Sequence, residues 1–284
     1  MTTVRPDPRD VDLSGLIDMH MHTAPDVRPR TVDDVEAAQQ AAAAGMRAIV
    51  LKSHVTCTAD RARLAQKLVP AVTVAGGLTL NEAVGGLNPA AVEAALGLDA
   101  RVVWMPTKSA QNHRLHCQGL AAGIRILDDS GNLLPVVDDI LEQLAASDAI
   151  LATGHLSVEE IVALVHAAKA SGVPKTVVTH PEVPWVNMSA AVQRDLRDMG
   201  AFFERCYVSS LPEGGGVDFA RIVSDIREVG MGSTILATDF GAAGLPAPVD
   251  GLRSYLAALL DAGFFERDIQ VMAGETPAML LELD

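Results

Sequence analysis

Short apolar runs alternate with helical stretches eight times along this chain, and that alternation limits the possible folds more than any other feature. The runs fall at residues 13–19, 48–52, 71–75, 101–105, 149–153, 176–179, 201–204 and 234–238. Each is short and built around apolar residues, as expected of a strand covered on both faces. Helix start and stop signals stand between them. Thr31 can cap a helix whose first turn holds Asp33, Asp34 and Glu36 and which stops at Gly45. Asn88 and Pro89 open a helix ending at Gly97, and Ser157 to Glu160 forms a capping box before one that closes at Gly172. Further helices are expected at 135–146, 189–199 and 218–229, and Asp129-Ser130-Gly131-Asn132 reads as the tip of a small hairpin after strand four.

Eight strand and helix pairs in 284 residues match the repeat count and size of a (β/α)8 TIM barrel, whose functional groups sit at the carboxyl ends of the strands. The expected fold class is therefore α/β, a (β/α)8 barrel with a hairpin insertion after strand 4. No linker or low-complexity block interrupts residues 1–284, so a single domain is expected. A doubly wound open sheet is the alternative. It fits less well because no Gly-x-Gly-x-x-Gly follows the first strand, and because polar residues worth noticing follow strands across the whole chain.

Composition narrows the partners. Hydrophobic residues make up 49% of the chain and aromatic ones 4%, so the core is built from Ala, Val, Leu and Ile. Asp and Glu number 36 against 22 Lys and Arg, a net charge of −14, which has the wrong sign for nucleic acid or an anionic membrane and leaves small molecules as the expected substrates. Cys57, Cys117 and Cys206 show no Cys-x-x-Cys spacing and read as inert thiols in a reducing compartment. Residues 1–15 lack an apolar core of the signal-peptide kind, and no apolar run approaches about 18 residues, so a cytoplasmic location is expected. Ala-rich outer helices allow a homo-oligomer.

The eight histidines carry the chemistry. His20 and His22 stand two apart after the first run, so in extended backbone both imidazoles point to one side and can share a metal. His54 lies two past Lys52 at the end of strand two, His155 just past strand five, His180 just past strand six, and Asp239 just past strand eight. In a closed barrel strands one and eight are neighbours, which brings Asp239 against His20 and His22. Neutral imidazoles with one carboxylate are the usual donors to zinc or a similar divalent ion, and a carboxylate beside the metal's water can carry its proton.

With His-x-His after strand one, single His after strands five and six, Asp after strand eight, and Gly274-Glu275-Thr276-Pro277-Ala278-Met279-Leu280-Leu281 at the end, the chain resembles the amidohydrolase superfamily of metal-dependent hydrolases. That resemblance implies that His20, His22 and Asp239 hold one metal, that His155 and His180 hold a second or divide into a ligand and a substrate-polarising group, and that Asp239 shuttles the proton. Binuclear members usually carry a carboxylated lysine after strand four, whereas strand four here ends Met105-Pro106-Thr107-Lys108; Lys52 is the other candidate. His54 after strand two is similar to the ligand placement of the polymerase and histidinol phosphatase domain. The expected cofactor is therefore divalent, zinc first with manganese or iron as alternatives, as one ion or two.

Other residues fill out the expected site. Arg28 and Arg30 can clamp a substrate carboxylate, and Trp185 can form an apolar wall. Glu204 and Arg205 end strand seven as an ion pair or as packing under a lid. His113 and His116, in the loop after strand four, can reach the mouth but read first as surface residues, and His166 reads as a structural residue of the fifth helix. Gly214 to Gly216 and the stretch 241–251 read as mobile loops. The function this supports is hydrolysis of an amide, lactam or ester by metal-activated water. The alternatives are metal-dependent decarboxylation of an aromatic or unsaturated acid, phosphoester hydrolysis, and binding without turnover.

Overall fold

The computed structural model describes residues 11–283. The greater part of the 1–15 segment on which the leader-free expectation rests lies outside the described residues. In chain order the elements are β1 (Ile17–His22), α1 (Asp34–Ala43), β2 (Ala48–Lys52), α2 (Ala59–Leu68), β3 (Thr73–Ala75), β4 (Gly77–Thr79), α3 (Pro89–Gly97), β5 (Val102–Trp104), α4 (Gln111–Gln118), α5 (Pro135–Ala145), β6 (Ile150–Ala152), α6 (Val158–Ala170), β7 (Thr176–Thr179), α7 (Ala190–Asp198), β8 (Phe202–Cys206), α8 (Phe219–Val229), β9 (Thr234–Ala237), α9 (Pro248–Asp261), α10 (Glu266–Gln270) and α11 (Thr276–Leu281). It is an α/β protein with parallel sheets. No helix among the described residues is long and apolar enough to cross a membrane.

The chain forms two compact units. One runs through Leu51 and adds Arg61–Ala75 and everything from Cys206 onward; the other comprises Lys52–Asp60 and Gly76–Arg205. In the first unit β1, β2 and β3 lie side by side, with Ala48 opposite Thr73 and Val50 opposite Ala75. On the other flank of β1, Met21 bridges in parallel to Phe240, just beyond β9. The alternation of β1 sorts its side chains: Met21 joins an apolar core with Leu16, Ile49, Leu51, Leu236 and Leu256, while Asp18, His20 and His22 share the opposite face. Burying each large aliphatic side chain in such a core contributes about 1.5–3 kcal/mol.

In the second unit β4 to β8 form a parallel sheet in sequence order. The register sets Thr79 against Trp104, Trp104 against Ala152, Ala152 against Val177, and Thr179 against Glu204. These partners stand at or next to the strand ends, so the segments that follow β4, β5, β6 and β7 leave one edge of the sheet together.

Local details depart from the sequence reading for physical reasons. The first strand starts later than expected and includes both histidines, because Leu13 and Leu16 are taken up by the core as the chain turns. The third apolar run ends with β3 at Ala75 as expected, and a further short strand that the sequence reading did not give, β4, starts at Gly77; a side chain at Gly76 would meet the Thr58 carbonyl oxygen at 2.3 Å, and one at Gly77 the Val102 carbonyl oxygen at 2.1 Å. These glycines permit close backbone approach. Asp33, not Thr31, caps α1, accepting from the Val35 and Glu36 N–H groups while Glu36 accepts from the Asp33 N–H. Thr31 donates its hydroxyl to the Ala242 carbonyl instead. The stretch 241–251 is no mobile loop throughout, since Pro248 starts α9 and Gly251 packs inside it, where a side chain would strike the Phe240 ring at 2.3 Å. Gly214 likewise lies buried against the Val208 carbonyl. In the excursion after β5, Leu127 pairs antiparallel with Leu133, and the Asp128 N–H donates to the Asn132 carbonyl at 2.8 Å.

Candidate metal centre

Three of the expected ligands meet in the first unit. The Nε2 atoms of His20 and His22 lie 3.0 and 2.9 Å from the same Asp239 oxygen, Oδ1. The two rings are 5.5 Å apart and tilted at 63°, facing the carboxylate from different directions. Backbone hydrogen bonds set this approach: the Asp239 N–H donates to the His20 carbonyl and the His22 N–H to the Phe240 carbonyl, each at 2.7 Å. Asp239 has a φ of +52°, a conformation few residues other than glycine adopt without cost. Two residues on, Gly241 lies so close beneath that a side chain would meet the His22 carbonyl oxygen at 1.7 Å.

Asp18 braces the arrangement from below. It is wholly buried and accepts from the Thr238 N–H at 3.0 Å, the Thr238 hydroxyl at 2.5 Å and the His20 N–H at 3.2 Å. Burial pushes its carboxyl up to about 6 despite those bonds. Burial also lowers His22 to about 4, against the pull of Asp239, so its imidazole is neutral, the form that gives a lone pair to a metal. Cys206, expected to be inert, is buried with its Sγ 3.6 Å from His20 Nδ1. Its place at the end of β8 was the one sequence signal available for it.

A second group of rings gathers in the other unit. His155 follows β6 and His180 follows β7, with ring centroids 5.5 Å apart, and Trp185 lies 5.5 Å from His155. Like Asp239, His180 sits at positive φ, +51°. His113, expected at the surface, is buried: its Nδ1 lies 3.0 Å from His155 Nδ1 and its ring stands edge-on to Trp185. The correction follows from α4, which carries His113 inward but has no apolar stripe by which the sequence could announce it. Burial lowers His113 to about 4. His116 and His166 are exposed.

The remaining candidates occupy other surroundings. Lys52 is buried with its Nζ 4.9 Å from the Trp104 ring, and His54 contacts Thr107 Oγ1 through Nδ1 at 2.9 Å. Arg30 spends its fork on Asp26, with Nε at 3.1 Å and Nη2 at 2.8 Å from one oxygen, while Arg28 is exposed. Arg205 pairs with Glu182 and donates to Gln193 at 2.9 Å; the Arg205 and Glu182 side chains are both fully buried.

The donor set fits a divalent cation. Two imidazoles and a carboxylate offer ligand atoms that all lie within 4.8 Å of one another, and both rings are buried while the Asp239 side chain keeps 18% of its surface exposed.

This fold is the fold of amidohydrolase-type metal-dependent hydrolases. An amidohydrolase from Pseudomonas aeruginosa aligns over 98% of this chain and 98% of its own, with a TM-score of 0.65 at 14% identity. An organophosphorus hydrolase from Deinococcus radiodurans aligns over 95% and 93% (TM-score 0.60, 13% identity), and a lactonase from Listeria monocytogenes over 96% and 96% (TM-score 0.57, 13% identity). No curated protein sequence matches the chain significantly. The chain belongs to a family of unknown function, DUF6282, whose profile matches residues 15–204.

Proposed function

We propose that this protein is a metal-dependent hydrolase of small molecules, with a divalent ion, zinc first among the candidates, held by His20, His22 and Asp239. The observation that carries the reading is the convergence of two buried imidazole Nε2 atoms on one carboxylate oxygen. We further propose that the strands form one (β/α)8 barrel and a single domain. The parallel pairing of β2 with β3 and of β4 through β8, the parallel bridge from β1 to Phe240 and alignment with solved hydrolases over nearly their whole length support it.

When bound, the ion would polarise a carbonyl and lower the pKa of the attacking water. The protein's own residues do the rest. His22, kept neutral by burial, and His20 supply imidazole donors, and the Asp18 hydrogen bonds fix the backbone of His20 and Thr238 beneath them. Asp239, the most accessible member of the set, takes a proton from the attacking water and passes it to the leaving group. His155 and His180, each just past a strand end, serve as further ligands or polarise the substrate, and Trp185 forms an apolar wall beside them. The scissile bond is an amide, lactam or ester; the likeness of fold to hydrolases of different bonds leaves that choice to assay.

Elemental analysis of the purified protein tests the reading. One or two equivalents of zinc, manganese or iron are expected, with His20→Ala and His22→Ala each losing metal. Metal-free protein that takes up none of these ions on reconstitution overturns it.

A further inference from the structure

We propose that α4 is the positioning element of the second histidine group: His113 accepts the Nδ1 proton of His155 and so presents His155 Nε2, while Asn112 ties the His155 and Trp185 loops together. This rests on the reading above only in giving His155 a role toward metal or substrate.

The geometry carries the argument. Two ring nitrogens 3.0 Å apart bond only if one bears a proton and the other a lone pair. With the proton on His155 Nδ1, that ring is locked in the tautomer whose Nε2 has the lone pair, the form in which an imidazole ligates a metal or takes a proton. His113 cannot swing away easily. Its ring is held edge-on to Trp185 at 5.2 Å and 4.7 Å from the His155 ring, with Cys117 Sγ 3.8 Å from its Nδ1 on the next helical turn. One residue earlier, Asn112 donates through Nδ2 to the His155 carbonyl at 3.2 Å and to the Trp185 carbonyl at 2.7 Å. A single helical turn therefore grips the His155 side chain, the His155 backbone and the Trp185 loop. The helix is itself anchored by the returning chain, since the Gln111 N–H donates to the Ile124 carbonyl at 2.9 Å and a side chain at Gly123 would meet Gln111 Cα at 2.5 Å.

The test is a long-range proton–nitrogen spectrum of the histidine rings in 15N-labelled, metal-free protein, with the His155 signals assigned by their loss in His155→Gln. Wild type should show His155 with its proton on Nδ1. His113→Phe, which keeps the packing and removes the acceptor, should abolish that preference and weaken zinc binding, read by chelator competition, roughly tenfold or more. His113→Gln, whose amide oxygen can accept the same proton, should restore the tautomer and bring affinity back to within about threefold, a rescue that packing alone would not give. A wild-type His155 protonated on Nε2, or a His113→Phe protein with unchanged tautomer and unchanged zinc affinity, overturns the proposal. The wild-type spectrum decides even if a variant does not fold. Loss of the metal reading would look different: His155→Ala would leave zinc affinity untouched while the tautomer result stood.

Discussion

Asp18 and Thr238 lie 220 positions apart in sequence, yet the Asp18 carboxylate receives both the backbone N–H and the hydroxyl of Thr238. Asp18 stands two residues before His20 on β1, and Thr238 immediately precedes Asp239. One buried carboxylate therefore couples the two segments that supply the candidate metal ligands.

Asp18→Asn should cost about 2 kcal/mol of stability, because an amide cannot accept from every donor that the carboxylate satisfies and turns an N–H toward one of them. Thr238→Val removes the hydroxyl bond alone and should cost about 1 kcal/mol. Urea denaturation of both variants checks the order. Asp18→Asn should also weaken zinc binding about tenfold, since the residues that orient metal ligands act on affinity; equal stability losses with unchanged affinity would remove Asp18 from this role.

Gly241→Ala should be among the most damaging single changes in the chain. The added carbon would fall 1.7 Å from the His22 carbonyl oxygen, and the backbone there has a φ of +126°, so neither space nor conformation accommodates it. A loss of about 3 kcal/mol or more is expected, together with reduced metal content in whatever folded protein is recovered. Thermal melting and metal analysis on the same sample check both.

Asp239→Asn separates holding the metal from moving the proton. The amide keeps an oxygen toward His20 and His22 but cannot act as a base, so metal should be largely retained while turnover of any ester, lactam or amide substrate falls about 100-fold or more. Equal turnover would take Asp239 out of proton transfer.

Arg30 and Asp26 should behave as one structural unit. Burial alone would push the Asp26 carboxyl up, but the hydrogen bonds and charge of Arg30 outweigh it and hold it below the ordinary value. A depressed carboxyl contributes stability that is present above its unfolded value near 4 and lost as pH falls through the lower folded value. Asp26→Asn should therefore cost about 2 kcal/mol at pH 7, with the difference from wild type shrinking as the solution is acidified below about pH 4. Denaturant titration at several pH values reads this directly. In a double-mutant cycle with Arg30→Ala the losses should not add.

The outline of the fold was legible because its signals are local. A doubly buried strand carries a run of branched or small apolar residues, as at 48–51 and 177–178, and a capping box is written within four residues, as at Ser157–Glu160. What failed locally was what depends on neighbours distant in sequence. The role of the glycines at 76 and 77 was not legible because the Thr58 and Val102 carbonyls they make room for lie on other segments of the chain. Helix α4 looked like loop because it packs through polar side chains rather than an apolar stripe.

The same division runs through the site. By itself the sequence determined the residue types and the pairing of His20 with His22, since spacing by two fixes a common side on any extended strand. It also placed His155, His180 and Asp239 after their strands. Only the tertiary structure decided that Asp239 turns its carboxylate onto both imidazoles, that Asp18 braces Thr238, that Cys206 lies against His20, and that His113 comes in from α4 to meet His155. The physical reason is that a strand's side-chain direction follows from its own backbone, whereas a hydrogen bond between distant segments exists only once packing has removed water and set the register between them.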